Sequence, residues 1–377
     1  MTSPARARID LAAIRENVAL LDARSGGAAV LAAVKADGYG HGLVPAARAA
    51  LDGGATWLGV AQLAEALALR AAGVTARVIS WLGTPGEPYA DAVRADVDLG
   101  AGAPWMIREI AAGARAAGRA ARVHLEADTG MSRGGATPAD WPALVDAALA
   151  EQAAGHLTVV GLFSHFACAD MPGHPSIDAQ ITGFRDAVEH AEKAGVTPEV
   201  RHLANSAATL TLPQAHFDLV RPGIACYGLT PIPEAGTFGL RPAMTLTARL
   251  ALAKRVPPGS GVSYGHRYHT TAETTLAVVP VGYADGVPRA ASPAGVEVLA
   301  GGRRRAIAGT VCMDQFVLDV GDDHVAAGDE VVLFGAGDAG GPTATEWAQA
   351  LGTISYEIVT RIGARVPRAY TGERGTP

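Results

Sequence analysis

For its first ~235 residues the chain alternates short β-branched or apolar runs with longer alanine-rich segments of helical period. That alternation restricts the fold more than any other feature, because strands joined by helices pair in parallel and are covered by those helices. Eight runs qualify as strands: "AAVLAAVK", "TWLGVA", "RVISWL", "DVDLG", "ARVHLEAD", "LTVVGLFSH", "EVRHLAN" and "FDLVRPG". Helices between them include 63–72, 104–117 and 141–150. Eight strand–helix units, each strand followed by polar or glycine residues, predict a (β/α)8 TIM-type barrel rather than an open doubly wound sheet. In such barrels the reactive groups gather at the C-terminal ends of the strands.

The texture then changes. After the Pro/Gly-rich joint "TPIPEAGTFGLRP", strand-like runs dominate, which predicts a barrel over 1–237 and a mainly-β domain over 238–377. Gly301 and Gly302 read as a hairpin turn, and Arg303, Arg304 and Arg305 beside them as its solvated tip. One late helix is expected at "TATEWAQALG", with Thr343 and Glu346 as a capping box and Gly352 as its stop.

The formal charge of -6, with no basic tail, argues against nucleic-acid or anionic-membrane partners. No run approaches the ~18 apolar residues of a membrane span, and the first residues hold no apolar leader segment. Cys168, Cys226 and Cys312 are widely spaced without a C-x-x-C pair, so they read as reduced thiols of a cytoplasmic protein. His165 and His202 lack metal-ligand spacing, and no metal site is expected. Neither a dinucleotide-binding fingerprint nor a P-loop occurs.

Taken at their strand ends, the polar residues form a pattern. The first strand leads to Lys35 and Tyr39, the fifth to Glu126, Asp128 and Arg133, and the sixth to His165. The seventh leads to His202, Asn205 and Ser206, the eighth to Arg221, Gly223 and Ile224. A barrel would converge them on one pocket. One lysine among phosphate-compatible hydroxyls and backbone N–H groups points to an aldehyde cofactor, pyridoxal 5'-phosphate (PLP).

The segments "AAVKADGYGHG", "DTGMSRGG", "SHFACAD", "HLANSAA", "RPGIACYG", "VSYGHRY", "VGYADG", "VCMDQ" and "ISYEIVTRI", in this order, resemble those of the alanine racemase family. The resemblance runs from about Arg8 to Tyr370. It implies a PLP barrel plus a C-terminal β domain, a head-to-tail homodimer with shared sites, and interconversion of L- and D-alanine for peptidoglycan precursors. Lys35 would then carry PLP and act as acid/base on one substrate face, with Tyr264 as the opposite base reaching the partner's pocket. A free tyrosine titrates near pH 10, so such a base depends on its surroundings. His165 and Arg221 are implied there, with Arg221 also donating to the pyridine nitrogen. His202 and Asn205 join the cofactor-binding set, Tyr39, Ser206, Gly223, Ile224 and Tyr356 imply phosphate contacts, and Arg133 and Met313 substrate-carboxylate contacts. Asp314, Tyr283, Asp170 and Arg289 are implied supporting residues.

Two positions depart from the family pattern. Glu126 stands where a carbamylated lysine is common; it reads either as a fixed substitute charge orienting Arg133 or as a plain strand-end ion pair to it. Thr310 stands where an arginine of the substrate access corridor is common, which predicts a less positive corridor. Three readings compete with alanine racemisation: a racemase of serine or broader range, a PLP carrier without turnover, and a PLP decarboxylase on a related barrel. Arg133 and Met313, which would retain the carboxylate, speak against the last.

Overall fold

The computed structural model describes residues 3–372. Chain order gives β1 Ala5–Asp10, β2 Ala29–Ala33, β3 Trp57–Val60, β4 Arg77–Ser80, β5 Asp98–Ala101, β6 Ala121–Glu126, β7 Leu157–Phe163, β8 Val200–His202 and β9 Leu219–Val220. Strands β2 to β8 pair in parallel, each with the next, and β9 pairs with β2 through Val30↔Val220. Between β8 and β9 the circle is completed by Asp218 N–H donating to the Arg201 carbonyl (3.0 Å) and Arg221 N–H to that of Ala204 (2.8 Å). All eight predicted barrel strands are present in the near-closed barrel. The helices Leu63–Ala71, Pro104–Ala117 and Trp141–Ala153 follow the expected spans closely.

The second sheet adds β10 Met244–Arg249, β11 Leu252–Val256, β14 Thr274–Val279, β15 Glu297–Ala300, β16 Arg303–Ala308, β17 Phe316–Gly321, β18 Glu330–Phe334 and β19 Arg368–Thr371. The short β12 Gly261–Val262 and β13 Tyr268–His269 form a separate hairpin. The nine-stranded order is β11-β14-β17-β16-β15-β18-β10-β1-β19. One strand of this sheet comes from ahead of the barrel: β1 pairs antiparallel with β10 and parallel with β19. Its alternating "ARARID" buries Ala5, Ala7 and Ile9, the period-2 pattern of a sheet with one covered face.

Gly301 and Gly302, at φ 58° and 74°, make the two-residue turn from β15 to β16. The arginines after it are less free than a solvated tip implies: Arg304 donates to Glu346 at 2.7 Å, and Arg305 pairs with Asp323. Thr343 and Glu346 form the expected capping box, and Gly352 ends the helix in the left-handed region.

Asn17, on the helix Leu11–Arg24, ties the two units together. Its amide donates to the carbonyls of Arg241 (2.9 Å) and Cys226 (3.3 Å), and its oxygen accepts from Arg241 N–H (2.9 Å). The side chain is buried, so truncation would leave backbone groups of the joint without partners. Asn17→Ala is expected to lower stability by about 2–3 kcal/mol, read as a drop in the urea midpoint at unchanged slope.

Candidate active site

At the C-terminal strand ends a cavity of about 370 Å³ is lined by Lys35, Tyr39, Glu126, Arg133, His165, Asn205, Ser206, Arg221, Gly223, Ile224 and Tyr356. Eleven of the residues singled out in the sequence therefore meet at one place. Trp81, Phe163 and Thr360 line it as well and were missed. Trp81 follows β4 directly, so the strand-end rule that selected Lys35 also points to it; its indole lies 5.6 Å from Lys35 Nζ.

Lys35 opens a turn that runs left-handed. Ala36, Asp37, Gly38 and Tyr39 have φ of 53°, 55°, 61° and 53°. Non-glycine residues pay roughly 1–2 kcal/mol each for this conformation, so the surroundings must impose it. Glu65 accepts from Ala36 N–H at 2.6 Å while also holding Ala61 and Gln62 N–H, and Asp37 accepts from Leu43 N–H at 2.8 Å. Burial lowers the Lys35 ammonium from its ordinary value, Arg133 and Arg221 add to this, and Glu65 opposes it.

Arg221 is buried and donates from Nη1 to His202 Nδ1 (3.0 Å) and the His202 carbonyl (2.7 Å). From Nη2 it donates to the Ser164 carbonyl (2.6 Å) and His165 Nδ1 (3.2 Å). Nη2 also lies 3.4 Å from the Leu203 carbonyl, so the terminal N–H groups are all engaged, and among the described residues Nε–H has no protein acceptor. Burial pushes Arg221 down to about 10, against the pull of Glu126, and it stays cationic at neutral pH. His202 does not line the cavity and reaches it only through its bond with Arg221. As the last residue of β8 it points into the barrel interior, where its Nε2 meets His124 Nδ1 at 2.9 Å. His124 Nε2 lies 3.2 Å from Asp98, which Arg77 and Arg122 also hold.

Glu126 forms no ion pair with Arg133 within 4.0 Å among the described residues. Its carboxylate lies over Gly134 instead, where an added Cβ would stand 3.1 Å from an oxygen. Burial raises its carboxyl, while Arg221 and Arg133 pull it down.

Tyr264, Met313, Asp314, Tyr283, Arg289 and Asp170 do not line this cavity. Tyr264, Tyr283 and Met313 are exposed at the surface of the second unit. Tyr283 and Ala284 N–H donate to the Cys312 and Met313 carbonyls, both at 3.0 Å. Asp314 is paired with Arg365 at 2.8 Å. Asp170 is near enough to Tyr356 to help raise its hydroxyl, after burial. Arg289 borders a separate hollow with Arg267 and Thr310. The structure thus gathers the barrel residues into one site and leaves the β-domain residues as a second, outward-facing group.

Residues 9–231 match the family described as alanine racemase, N-terminal domain, and residues 243–370 the alanine racemase, C-terminal domain. The chain belongs to the alanine racemase family. The alanine racemase of Frankia casuarinae is 68% identical over 365 residues, covering 96% of this chain and 95% of that protein. The crystal structure of alanine racemase from D-cycloserine producing Streptomyces lavendulae superposes with a TM-score of 0.97 at 57% identity, covering 99% of this chain and 98% of that one. That of Streptomyces coelicolor gives 0.96 at 60% identity, covering 98% of each. No helix among the described residues is long and apolar enough to cross a membrane.

Three histidines of this family member resist protonation. Burial pushes His165 down to about 3, with Arg221, Arg133 and Lys35 adding to it. Burial takes His41 to about 4 despite the carbonyls of Tyr39 and Gly38, and His202 well below its ordinary value. The unfolded chain binds protons at these positions near pH 6.5, where the folded chain does not. Stability is therefore complete above that pH and falls on acidification, by roughly 1.4 kcal/mol per pH unit for each histidine, until each folded site itself titrates, at about 4 for His41 and about 3 for His165. Urea midpoints at pH 7.5, 6 and 5 are expected to decline in that order.

Proposed function

We propose that this chain is an alanine racemase that interconverts L- and D-alanine with PLP, as a homodimer in which each site draws on both subunits. The single observation that carries this reading is the cavity with one lysine, a buried arginine whose Nε–H has no protein acceptor, and an uncharged hydroxyl and N–H cradle beside them. The residues fit the cofactor. At Gly223 a Cβ would stand 2.2 Å from the Tyr39 hydroxyl, so this backbone is pressed against the site as a phosphate cradle requires. Ser206 Oγ holds Gly223 N–H at 2.8 Å, and the N–H of Ile224, first residue of a 3-10 turn, lies outside that turn's own bonding.

In this reading Tyr39, Ser206, Gly223, Ile224 and Tyr356 hold the phosphate, and Arg221 Nε–H donates to the pyridine nitrogen. Lys35 Nζ would hold the aldehyde carbon in the resting site, which its lowered pKa assists by supplying neutral amine, and would be a free amine once the substrate's amino group takes its place there. When bound, PLP delocalises the charge left by the departing α-proton. Because Arg221 remains a cation, it does not pass its proton to the ring, and that limits the sink and disfavours transamination. Arg133 orients the substrate carboxylate, with Glu126 beside it. Lys35 moves the α-proton on one face and Tyr264 of the other subunit on the opposite face. The separation of the Tyr264 group from the cavity within one chain is what a shared site predicts. The free cysteines agree with a cytoplasmic workplace, where D-alanine would supply peptidoglycan synthesis.

The chain has three lysines, Lys35, Lys193 and Lys254, so borohydride reduction and peptide mapping give a clear result: PLP on the Lys35 peptide. Lys35→Ala and Tyr264→Phe are each expected to lose racemisation. Mixing the two unfolded and refolding them restores about a quarter of wild-type activity through mixed dimers with one intact site; no recovery rules out the shared site. α-Deuteration of L-alanine in D₂O, with both enantiomers labelled, separates racemisation from simple PLP carriage. Gly223→Ala is expected to weaken PLP retention about tenfold or more, since overpacking costs of order 1–3 kcal/mol, as read by cofactor titration.

A further inference from the structure

Tyr264 lies in a strained hairpin. It opens the 3-10 turn Tyr264–His266 between β12 and β13. Ser263 before it has φ 61° and ψ -171°, a region comfortable only for glycine, and Gly265 and His266 follow at φ 75° and 43°. Such a turn persists only where its surroundings over-determine it. Tyr264 is 73% exposed, and among the described residues its hydroxyl has no hydrogen-bond partner, so within one chain the backbone is what limits where the phenol can reach.

The backbone is held by one segment, Gly309 to Cys312. Ser263 Oγ donates to the Thr310 carbonyl at 2.6 Å, and Thr310 Oγ1 donates to the Tyr264 carbonyl at 2.8 Å. Thr310 thus accepts from the Ser263 side chain and donates to the main-chain carbonyl of Tyr264. Cys312 Sγ lies 3.2 Å from Ser263 Oγ. Gly309 passes so near Val262 that a Cβ would meet its carbonyl oxygen at 2.5 Å. The Thr310 side chain is buried against the hairpin, so its hydroxyl is directed at the main chain of Tyr264.

We infer that Thr310 is a positioning residue that aims Tyr264 by clamping the strained Ser263–Tyr264 backbone. This rests on Tyr264 being the second acid/base. It also gives Thr310 a purpose other than a lost corridor charge: the hydroxyl acts on the proton-transfer step rather than on access of substrate.

The test uses the PLP-loaded dimer with Thr310→Val, which keeps the shape and removes the hydroxyl, and Thr310→Ser, which keeps the hydroxyl. Turnover is measured in both directions with protiated and α-deuterated alanine. Thr310→Val is expected to lower kcat about 10- to 100-fold with little change in KM or cofactor absorbance. The α-deuterium isotope effect should rise for the enantiomer from which Tyr264 removes the proton and fall for the other. Thr310→Ser should restore both. A Thr310→Val enzyme like wild type, isotope effects that stay put while kcat falls, or a serine variant that does not recover would each overturn the inference. Tyr264→Phe separates the two readings. If that variant still racemises at the wild-type rate, the role of Tyr264 itself is wrong; if it is inactive while Thr310→Val is normal, only the clamp is wrong.

Discussion

A guanidinium buried at the top of a barrel is the constraint around which the rest is arranged. Desolvating Arg221 costs several kcal/mol unless its donors are met, and the partners of its terminal N–H groups come from the ends of β7 and β8. The line does not stop there. Arg221 donates to His202 Nδ1, so that nitrogen carries no proton and the hydrogen of this neutral imidazole is on Nε2, facing His124 Nδ1. His124 Nδ1 is then an acceptor, and its own hydrogen faces Asp98. Burial works to raise the Asp98 carboxyl, but His124 and Arg77 together hold it below its ordinary value. Asp98 begins β5, and Arg77 begins β4, so a single polar line crosses the barrel from its N-terminal rim to the cavity. Both tautomers are fixed by it, and the guanidinium is held so that Nε–H alone faces outward from the network.

Strain is placed with equal economy. The two residues assigned to proton transfer each sit beside non-glycine backbone at positive φ: Lys35 before Ala36, Asp37 and Tyr39, and Tyr264 after Ser263. In each case a side chain from another element pins a main-chain group, Glu65 for the first turn and Thr310 for the second. A lysine has four rotatable bonds and an exposed tyrosine has open space around it. Fixing their backbones in conformations the chain would otherwise leave limits where both can reach.

Much of this was legible from the sequence because barrel strands are buried on both faces and read as short apolar runs. The residues just past those runs supplied most of the cavity. Other parts were hidden for definite reasons. The strand "ARARID" finds its partners at 244–249 and 368–371, and no local signal reveals pairing across more than 230 residues. His124 and Asp98 were quoted within strands, yet the period of two does not say which side of a barrel strand faces inward. For the same reason the strand end alone does not show that His202 acts through Arg221. Trp81 obeyed the strand-end rule and was overlooked because an indole carries no charge. The orientation of Thr310 depends on a hairpin 46 residues away, which sequence spacing cannot supply.

The distribution of charge within the cavity fits the proposed chemistry more closely than its net sign does. The groups proposed for the phosphate are hydroxyls and N–H groups, with no cation among them, and burial raises the Tyr39 and Tyr356 hydroxyls so that they stay protonated donors. Full charges are found at the other end: Arg221, Arg133 and Glu126, with Lys35 between them. A phosphate keeps its charge throughout a racemisation, so fixed dipoles suffice to hold it. Charge changes at the ring and at the substrate's α-carbon, and there a low-dielectric site with preset charges has the greatest effect on rate. The neutral imidazole of His165 stands at that end as well, accepting from Arg221 without adding a further cation beside Lys35. A protonated histidine in its place would repel both Arg221 and Arg133, so burial of His165 is what allows it to share one small volume with Arg221, Arg133, Lys35 and a single carboxylate.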